Sequence, residues 1–483
     1  MDGFIRPGGD ITTLLDITPR DFQDNEYTPL SAEKTWWLPD ENRRIKPFSL
    51  SVQQFQFRGP TAFGQRFTFD VGSVTAGDLL FSTVLQINLG HWFDDTTLSR
   101  IQTGQYEYLQ EPWFYANSLG TVIIEKAELE ADGQTIEIVD GDLLNVSSLL
   151  SDINSQYGFA ADGIGKKPIA SLLSTPSTHP FPTQTNTLLI PLPFFFQRVP
   201  LQEGFPLLSC REGTVRIHVT LRPFTECIRL LNGRRKTCDE TPLNKDFLIK
   251  KHIPPLYKNI TVHTPVAAPS FKNIQLITYC AHTDGVMRQR ILRDPFETMV
   301  RICHTFDFSE PLKYLTNKTV QDKIQVQLPL EINHPMEEIV WFIRRKSAAN
   351  NNEWTNYSAV MSPEYDAVYN PFRPLLRNAA IQCNGIELIN QEEQWFRQHI
   401  ATSHKSGAAS YNSFIYGYSF AKNPATHQPS GTANASRLHT IRLTLDVSPP
   451  GGIYEQDWEV KVFVITLQWL RFQNGMVNKM FSD

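Results

Sequence analysis

Between Val215 and Leu221 every second residue is apolar: Val215, Ile217, Val219 and Leu221 alternate with Arg216, His218 and Thr220. A period of two sends successive side chains to opposite faces of an extended chain, so this stretch reads as a strand with one buried face. Upstream, residues 188–196 form a solid apolar run in which Pro191 and Pro193 lack backbone donors. That excludes a central helix and favours the edge or end of a strand. Gln202, Glu203 and Gly204 supply a short polar turn that would close the two runs into a pair. With Phe194, Phe195 and Phe196 in it, such a pair carries more aromatic area than a lone hairpin shelters, and a second sheet is expected to cover it.

The same alternation recurs along the chain. In the first half it marks residues 52–57, 67–71 and 79–89, the last introduced by a Gly77-Asp78 turn, then 119–129 and 135–139 joined through Asp132-Gly133, a strong hairpin signal. Gly64, in Ala62–Gln65, suits a bend, and 143–153 suits a short helix. In the second half it marks Ile324, Val326 and Leu328, the apolar run 339–343, then Ile441, Leu443 and Leu445. Residues 460–470 are largely apolar on both sides, as in a strand buried between layers. Residues 387–400 read as a helix with Trp395 and Phe396 turned inward. Residues 91–113, 156–186, 222–252 and 346–382 read as long surface loops.

Each half thus holds about eight short strands and few helices, which fits an all-β chain of two consecutive eight-stranded antiparallel jelly rolls with long loop insertions. A propeller would need more, evenly spaced strands, and two immunoglobulin-like domains would need shorter loops. Residues 1–30 read as an arm that orders only against partners, 31–252 as the first jelly roll, 253–270 as a proline-marked linker and 271–483 as the second.

Composition narrows the function. Apolar residues make up 41% of 483, with 31 Phe, as in a globular protein with thick cores. A net charge of −5 gives no basic field for phosphates, so no direct nucleic-acid contact is expected. Cys210, Cys227, Cys238, Cys280, Cys303 and Cys383 include no C-x-x-C pair and read as free buried thiols of a reducing compartment. The first residues lack the charged and apolar regions of a secretory signal, and no apolar run approaches the roughly 20 residues of a membrane span. Retention in the cytosol is expected. The tripeptides at Asn145, Asn259, Asn317, Asn356 and Asn434 match the N-glycan acceptor pattern and read as chance matches.

No nucleophile elbow, phosphate loop, dinucleotide fingerprint or metal-ligand spacing occurs. The acidic pairs Asp94-Asp95, Glu337-Glu338 and Glu392-Glu393 are sequence neighbours, which strands send to opposite faces, so they read as solvated charges rather than an acid and a base. No catalytic, cofactor-binding or metal-ligating residue is nominated, and no enzyme activity is expected.

Several blocks resemble the major capsid proteins of the nucleocytoplasmic large DNA viruses, the iridoviruses and phycodnaviruses among them. They are Ala62-Phe63-Gly64-Gln65, Ala76-Gly77-Asp78-Leu79-Leu80 and Ile190-Pro191-Leu192-Pro193-Phe194-Phe195-Phe196 in the first half. In the second half they are Asn333-His334-Pro335 running into Glu338-Ile339-Val340-Trp341, Asn384-Gly385, Tyr418-Ser419-Phe420, Gln428-Pro429-Ser430-Gly431 with Asn434 and Ser436-Arg437, and Asn474-Gly475-Met476. They fall in a consistent order over nearly the whole chain. The resemblance implies a double jelly roll that forms a homotrimer, a pseudo-hexameric capsomer in an icosahedral virion shell assembled in the host cytoplasm. Its implied partners are neighbouring capsomers, penton and minor capsid proteins and, through the minor proteins, an internal membrane. The alternative class is a carbohydrate-binding β-sandwich, suggested by nine Trp and loops such as Trp113-Phe114-Tyr115.

Overall fold

The computed structural model describes residues 47–90, 113–150, 163–166, 187–198, 204–210, 214–230, 268–308, 324–350, 352–358, 374–404, 414–424, 426, 428–447 and 458–481. In the first half the strands are β1 (Phe48–Gln56), β2 (Arg66–Asp70), β3 (Leu79–Asn88), β4 (Trp113–Tyr115), β5 (Ile124–Ala131), β6 (Gln134–Asp140), β7 (Thr187–Pro191), β8 (Val215–Leu221), β9 (Ile228–Leu230) and β10 (Asn273–Thr283). They form two four-stranded antiparallel sheets, ordered β1-β10-β3-β7 and β2-β8-β5-β6, with β4 and β9 as a small ribbon. This is the jelly-roll order, in which strands adjacent in sequence mostly lie in opposite sheets.

The second half repeats it. Its strands are β11 (Phe296–Phe308), β12 (Ile324–Pro329), β13 (Pro335–Arg345), β14 (Leu376–Cys383), β15 (Ile386–Glu392), β16 (Ile415–Ser419), β17 (Ala433–Asn434), β18 (Ile441–Val447), β19 (Trp458–Gln473) and β20 (Met476–Lys479). The sheets run β11-β19-β13-β16, extended by β17 on β13 and β20 on β19, and β12-β18-β14-β15. Residues 48–483 form one compact unit.

The alternation explains the strands it marks. On β8, Val215, Ile217, Val219 and Leu221 are buried while the intervening residues are half-exposed. Ile217 sits between Phe69 of β2 and Leu129 of β5, both buried, at the centre of its sheet. The Asp132-Gly133 turn has φ of 54° and 77°, and Asn384-Gly385 has 52° and 78°. Two left-handed residues in succession are what a tight hairpin with the native strand twist requires, and Gly adopts them at little cost. The edge position expected for residues 188–196 holds: β7 is an edge strand, and Phe195–Arg198 turns helical beyond Pro193.

Four expectations are corrected. β7 and β8 do not pair, because β7 bonds to β3 and β8 lies between β2 and β5, so the two runs belong to opposite sheets of the sandwich. Residues 119–123 form a buried helical turn before β5, not the start of a strand. There Gly120 donates to the Ile164 carbonyl at 2.8 Å, and a Cβ on it would stand 2.9 Å from Ile164 Cα, a close approach that apolar periodicity does not encode. Residues 386–392 are strand β15, held opposite β14 by the Asn384-Gly385 turn, and the helix begins only at Glu393. Phe396 is buried in it against Trp341, whereas Trp395 faces outward and stacks on His399 at 4.7 Å.

The fourth concerns the boundary between the halves. Residues 273–283, assigned above to the second jelly roll, are β10, which bonds to β1 on one side and β3 on the other. A jelly roll closes when its last strand returns beside its first, and Ile274, Leu276 and Cys280 supply the buried face that this requires. The first sandwich therefore runs to Thr283, and the Gly285–Arg293 helix, capped by Asp284 on the Met287 N–H at 3.0 Å, leads into the second. The arm at 1–30 and residues 253–267 lie outside the described residues.

Cys210, Cys227, Cys280, Cys303 and Cys383 are free and buried, and burial pushes the Cys303 thiol up to about 12. Cys238 lies outside the described residues.

Ile217→Asp should place an unpaired carboxylate between Phe69 and Leu129 and cost more than about 4 kcal/mol. The expected outcome is loss of soluble, folded protein. A soluble variant with an unchanged thermal midpoint would contradict the placement of β8.

Candidate functional site

The two sandwiches meet along the edges of β6 and β11, and several of the side chains buried there are charged. Glu137, on β6, has its side chain fully out of solvent. Its carboxylate accepts from the Phe195 N–H at 2.8 Å, from the Arg198 guanidinium, and from the Cys303 N–H of β11 at 3.2 Å. Arg198 also donates to the Arg301 carbonyl at 2.8 Å. Arg301 grips Glu337 on the neighbouring part of the sheet through Nε at 2.5 Å and Nη2 at 3.1 Å, and Nη2 reaches the Thr426 carbonyl at 2.8 Å. Burial pushes Glu337 upward against the pull of Arg301. Beside it, Glu338 accepts from His404 at 2.7 Å. Burial would lower the His404 pKa, but the charge and hydrogen bond of Glu338 outweigh it and hold the imidazole above its usual value.

A second cluster lies where β6 runs into the Gly141–Leu150 helix. Asp142 receives a two-pronged bond from Arg344 of β13, Nη1 at 2.7 Å and Nη2 at 3.2 Å. Lys461 of β19 adds a contact to Asp142 at 3.1 Å, to Asp140 at 2.5 Å and to Asp307 at 3.4 Å. Arg344 also pairs with Glu459. Although burial pushes Asp142 upward, Arg344 and Lys461 overcome it and hold the carboxylate well below its usual range. Burial together with the neighbouring Asp142 charge raises Asp140. Two carboxylates and two cations from opposite sandwiches neutralise one another in a site with little water.

Around these clusters the seam is stitched by single bonds and rings. Trp354 donates from Nε1 to the Glu226 carbonyl at 3.0 Å while the Arg222 guanidinium lies 4.1 Å over its ring. Asn352, in a left-handed conformation, donates to the carbonyls of Thr225 and Ile228, both at 2.7 Å. Asn145 donates to the Tyr357 hydroxyl at 2.8 Å, and Val477 N–H to Asp132 at 2.6 Å. Phe205 meets Phe472 edge-on at 5.9 Å, and Phe472 stacks on Phe296 at 5.0 Å.

The solvated reading of Glu337-Glu338 is corrected: both are buried, because the apolar strand that holds them has Arg301 and His404 to neutralise them. Glu392 is exposed, and Glu393 pairs with Arg397 at 3.2 Å. Asp94-Asp95, Asn259 and Asn317 lie outside the described residues. Asn145 and Asn356 are buried, with Asn356 donating to Glu353 at 2.7 Å, whereas Asn434 is exposed and caps Ser436. Among the described residues no group of His, Cys, Asp and Glu is placed to hold a metal ion, and no helix is long and apolar enough to cross a membrane. Sequence reasoning missed Glu137, Asp142, Arg198, Arg344 and Lys461. The available signal was Lys461 itself, a lone cation inside a run apolar on both faces, which needs a buried anion from elsewhere in the chain.

Arg344→Met should leave Asp142 short of its main counter-charge and destabilise the chain by about 3–5 kcal/mol, read by denaturant unfolding. Adding Asp142→Leu should recover most of that loss, and strictly additive losses would mean that the two residues do not act together. For His404 the sign follows from its raised folded pKa: the pair's contribution is complete below the unfolded value of about 6.5 and drains away as pH rises through the folded value. The thermal midpoint of His404→Gln should therefore lie furthest below wild type under mildly acidic conditions and converge with it at alkaline pH. A gap independent of pH would show that the imidazole is uncharged in the fold.

Similarity to known proteins fits this geometry. Residues 39–249 match the family model for the major capsid protein N-terminus, and residues 288–478 match that for the large eukaryotic DNA virus major capsid protein. The major capsid protein of Pyramimonas orientalis virus is 23% identical over 463 residues, spanning 91% of this chain and 92% of that one. Among solved structures, the PBCV-1 virus capsid aligns with a TM-score of 0.64 at 16% identity over 91% of this chain and 98% of that one. The Faustovirus major capsid protein aligns at 0.61 and 12%, over 94% of each chain. Matched by capsid models in both halves and built as two jelly rolls in tandem, the chain belongs to the major capsid proteins of the large eukaryotic DNA viruses, structural subunits of the virion shell.

Proposed function

We propose that three copies of the chain assemble into a pseudo-hexameric capsomer, and that these capsomers tile an icosahedral shell put together in the host cytoplasm. The observation that carries this reading is the seam. Two sandwiches of identical strand order are held side by side by the buried pairs of Asp142 with Arg344 and of Asp140 and Asp142 with Lys461, so each chain supplies two alike wedges in a fixed relation. Three such chains about an axis approximate six-fold shape within closed cyclic symmetry. Such a tile has neighbouring capsomers, penton and minor capsid proteins as its contacts, and meets an internal membrane through the minor proteins. It performs no reaction and, with a net charge of −5, makes no direct contact with the genome.

Purified protein should sediment at three times the chain mass and show hexagonal outlines by electron microscopy. A monomer at every concentration tested would overturn the reading.

A further inference from the structure

The two sandwiches correspond residue by residue, and the correspondence shows which edges remain free. In the hairpin β5–β6, Leu129 faces Glu137 and Glu130 faces Thr135, so Ile136 is skipped as a bulge. In β14–β15, Ile381 faces Ile389 and Gln382 faces Glu387, so Leu388 is skipped at the same step after an equivalent turn. Leu388 is thus the counterpart of Ile136, and Ile389 of Glu137. A second shared bulge aligns the other sheets: Phe81 is skipped between β3 and β10, and Glu337 between β13 and β19. Through it Tyr279 matches Ile465, and their partners on the edge strands match in turn, Val52 with Cys303 and Leu50 with Arg301.

Within one chain β6 packs on β11, with Glu137 bonded to Cys303 N–H. Among the described residues, nothing comparable covers the matching edges, β15 and β1. Ile136 is 1% exposed but Leu388 is 49%; Arg301 and Cys303 are 5% and 7% exposed but Leu50 and Val52 are 54% and 53%. Polarity inverts as well. On β1 the outward positions Phe48, Leu50 and Val52 are apolar before Gln54 and Gln56 follow on the same face, whereas Ser51 and Gln53 lie opposite the buried Cys280 and Thr278. The outer face of the other first-half sheet carries an ordinary solvated pattern of cross-strand pairs, Arg66–Glu128 at 2.5 Å and Arg216–Glu130 at 3.4 Å among them. An apolar row at an edge strand, in a protein whose other sheet face is charged, marks a surface meant for burial.

We infer that β15 of one copy docks against β1 of a second copy, repeating between chains the β6–β11 seam found within each chain, with Leu388 and Ile389 set against Leu50 and Val52. The contact is head-to-tail, because the two patches differ, and a head-to-tail contact repeated around an axis closes into a ring. The inner seam carries buried ion pairs, whereas the edges of the outer one present exposed apolar side chains at the matching positions, so the two joints do not exchange partners. The inference rests on the trimer proposed above and names the surface that makes it.

The test uses the full chain with Val52→Asp in one preparation and Leu388→Asp in another, both at exposed positions. Wild type should sediment as three copies and each variant alone as one. An equimolar mixture should form a two-copy species, because the intact β15 of the first variant can still meet the intact β1 of the second. A three-copy species from either variant alone, or a mixture that stays monomeric beside a trimeric wild type, would overturn this surface while leaving the trimer standing. A monomeric wild type would overturn both. If either variant fails to fold, Val52→Cys with Ile389→Cys in one chain, treated with a short bis-maleimide, should give covalently linked three-copy product absent from the parent chain. Its absence would likewise overturn the surface.

Discussion

Everything about how the two sandwiches sit together depends on neutralising charge away from water at their junction. A carboxylate such as Glu137 or Asp142 is tolerable in the interior only if the groups that satisfy it arrive from the right direction, and here the other sandwich supplies the Cys303 N–H to Glu137 and both cations, Arg344 and Lys461, to Asp142. Such pairs contribute little net stability compared with well-packed apolar residues. They are unforgiving of misplacement, because a small rotation leaves a charge buried and unanswered. The junction therefore acts as a gauge of angle more than as an adhesive.

The division of labour between the apolar and the charged contacts follows from that. Each sandwich stabilises itself through its alternating strands, with Ile217, Phe69 and Leu129 in one and Leu443 and Ile381 in the other fully buried. The neighbour covers only the rim of each core, as where Phe205 meets Phe472 and Ile136 is buried at the seam. What the neighbour supplies is counter-charge, and a subunit that must meet others at fixed angles gains more from defined orientation than from additional cohesion.

The strands with one wet face were legible because alternation is a local signal: β2, β3, β8, β12 and β18 follow directly from it. Misreadings arose where burial was all-round or where the partner was distant in sequence. Residues 119–123 are apolar on every side, so no period separates helix from strand there. Residues 273–283 carry the right period but not the identity of their neighbours, which lie near residues 52 and 84. The seam was the least legible part. Asp142 and Arg344 are 202 positions apart, and nothing close to either in the chain announces the other. The resemblance to capsid proteins told which architecture to expect, but not which side chains hold it.

The thiols described above have a bearing on where the shell can travel. Cys210, Cys227, Cys280, Cys303 and Cys383 are all enclosed and none is joined to another, and the enclosed environment keeps their sulfurs protonated and poorly nucleophilic. Among the described residues, then, no disulfide exists for a reductant to cut, and no surface thiol waits for an oxidant. The described part of each subunit therefore keeps one pattern of sulfur bonding in reducing and oxidising surroundings alike.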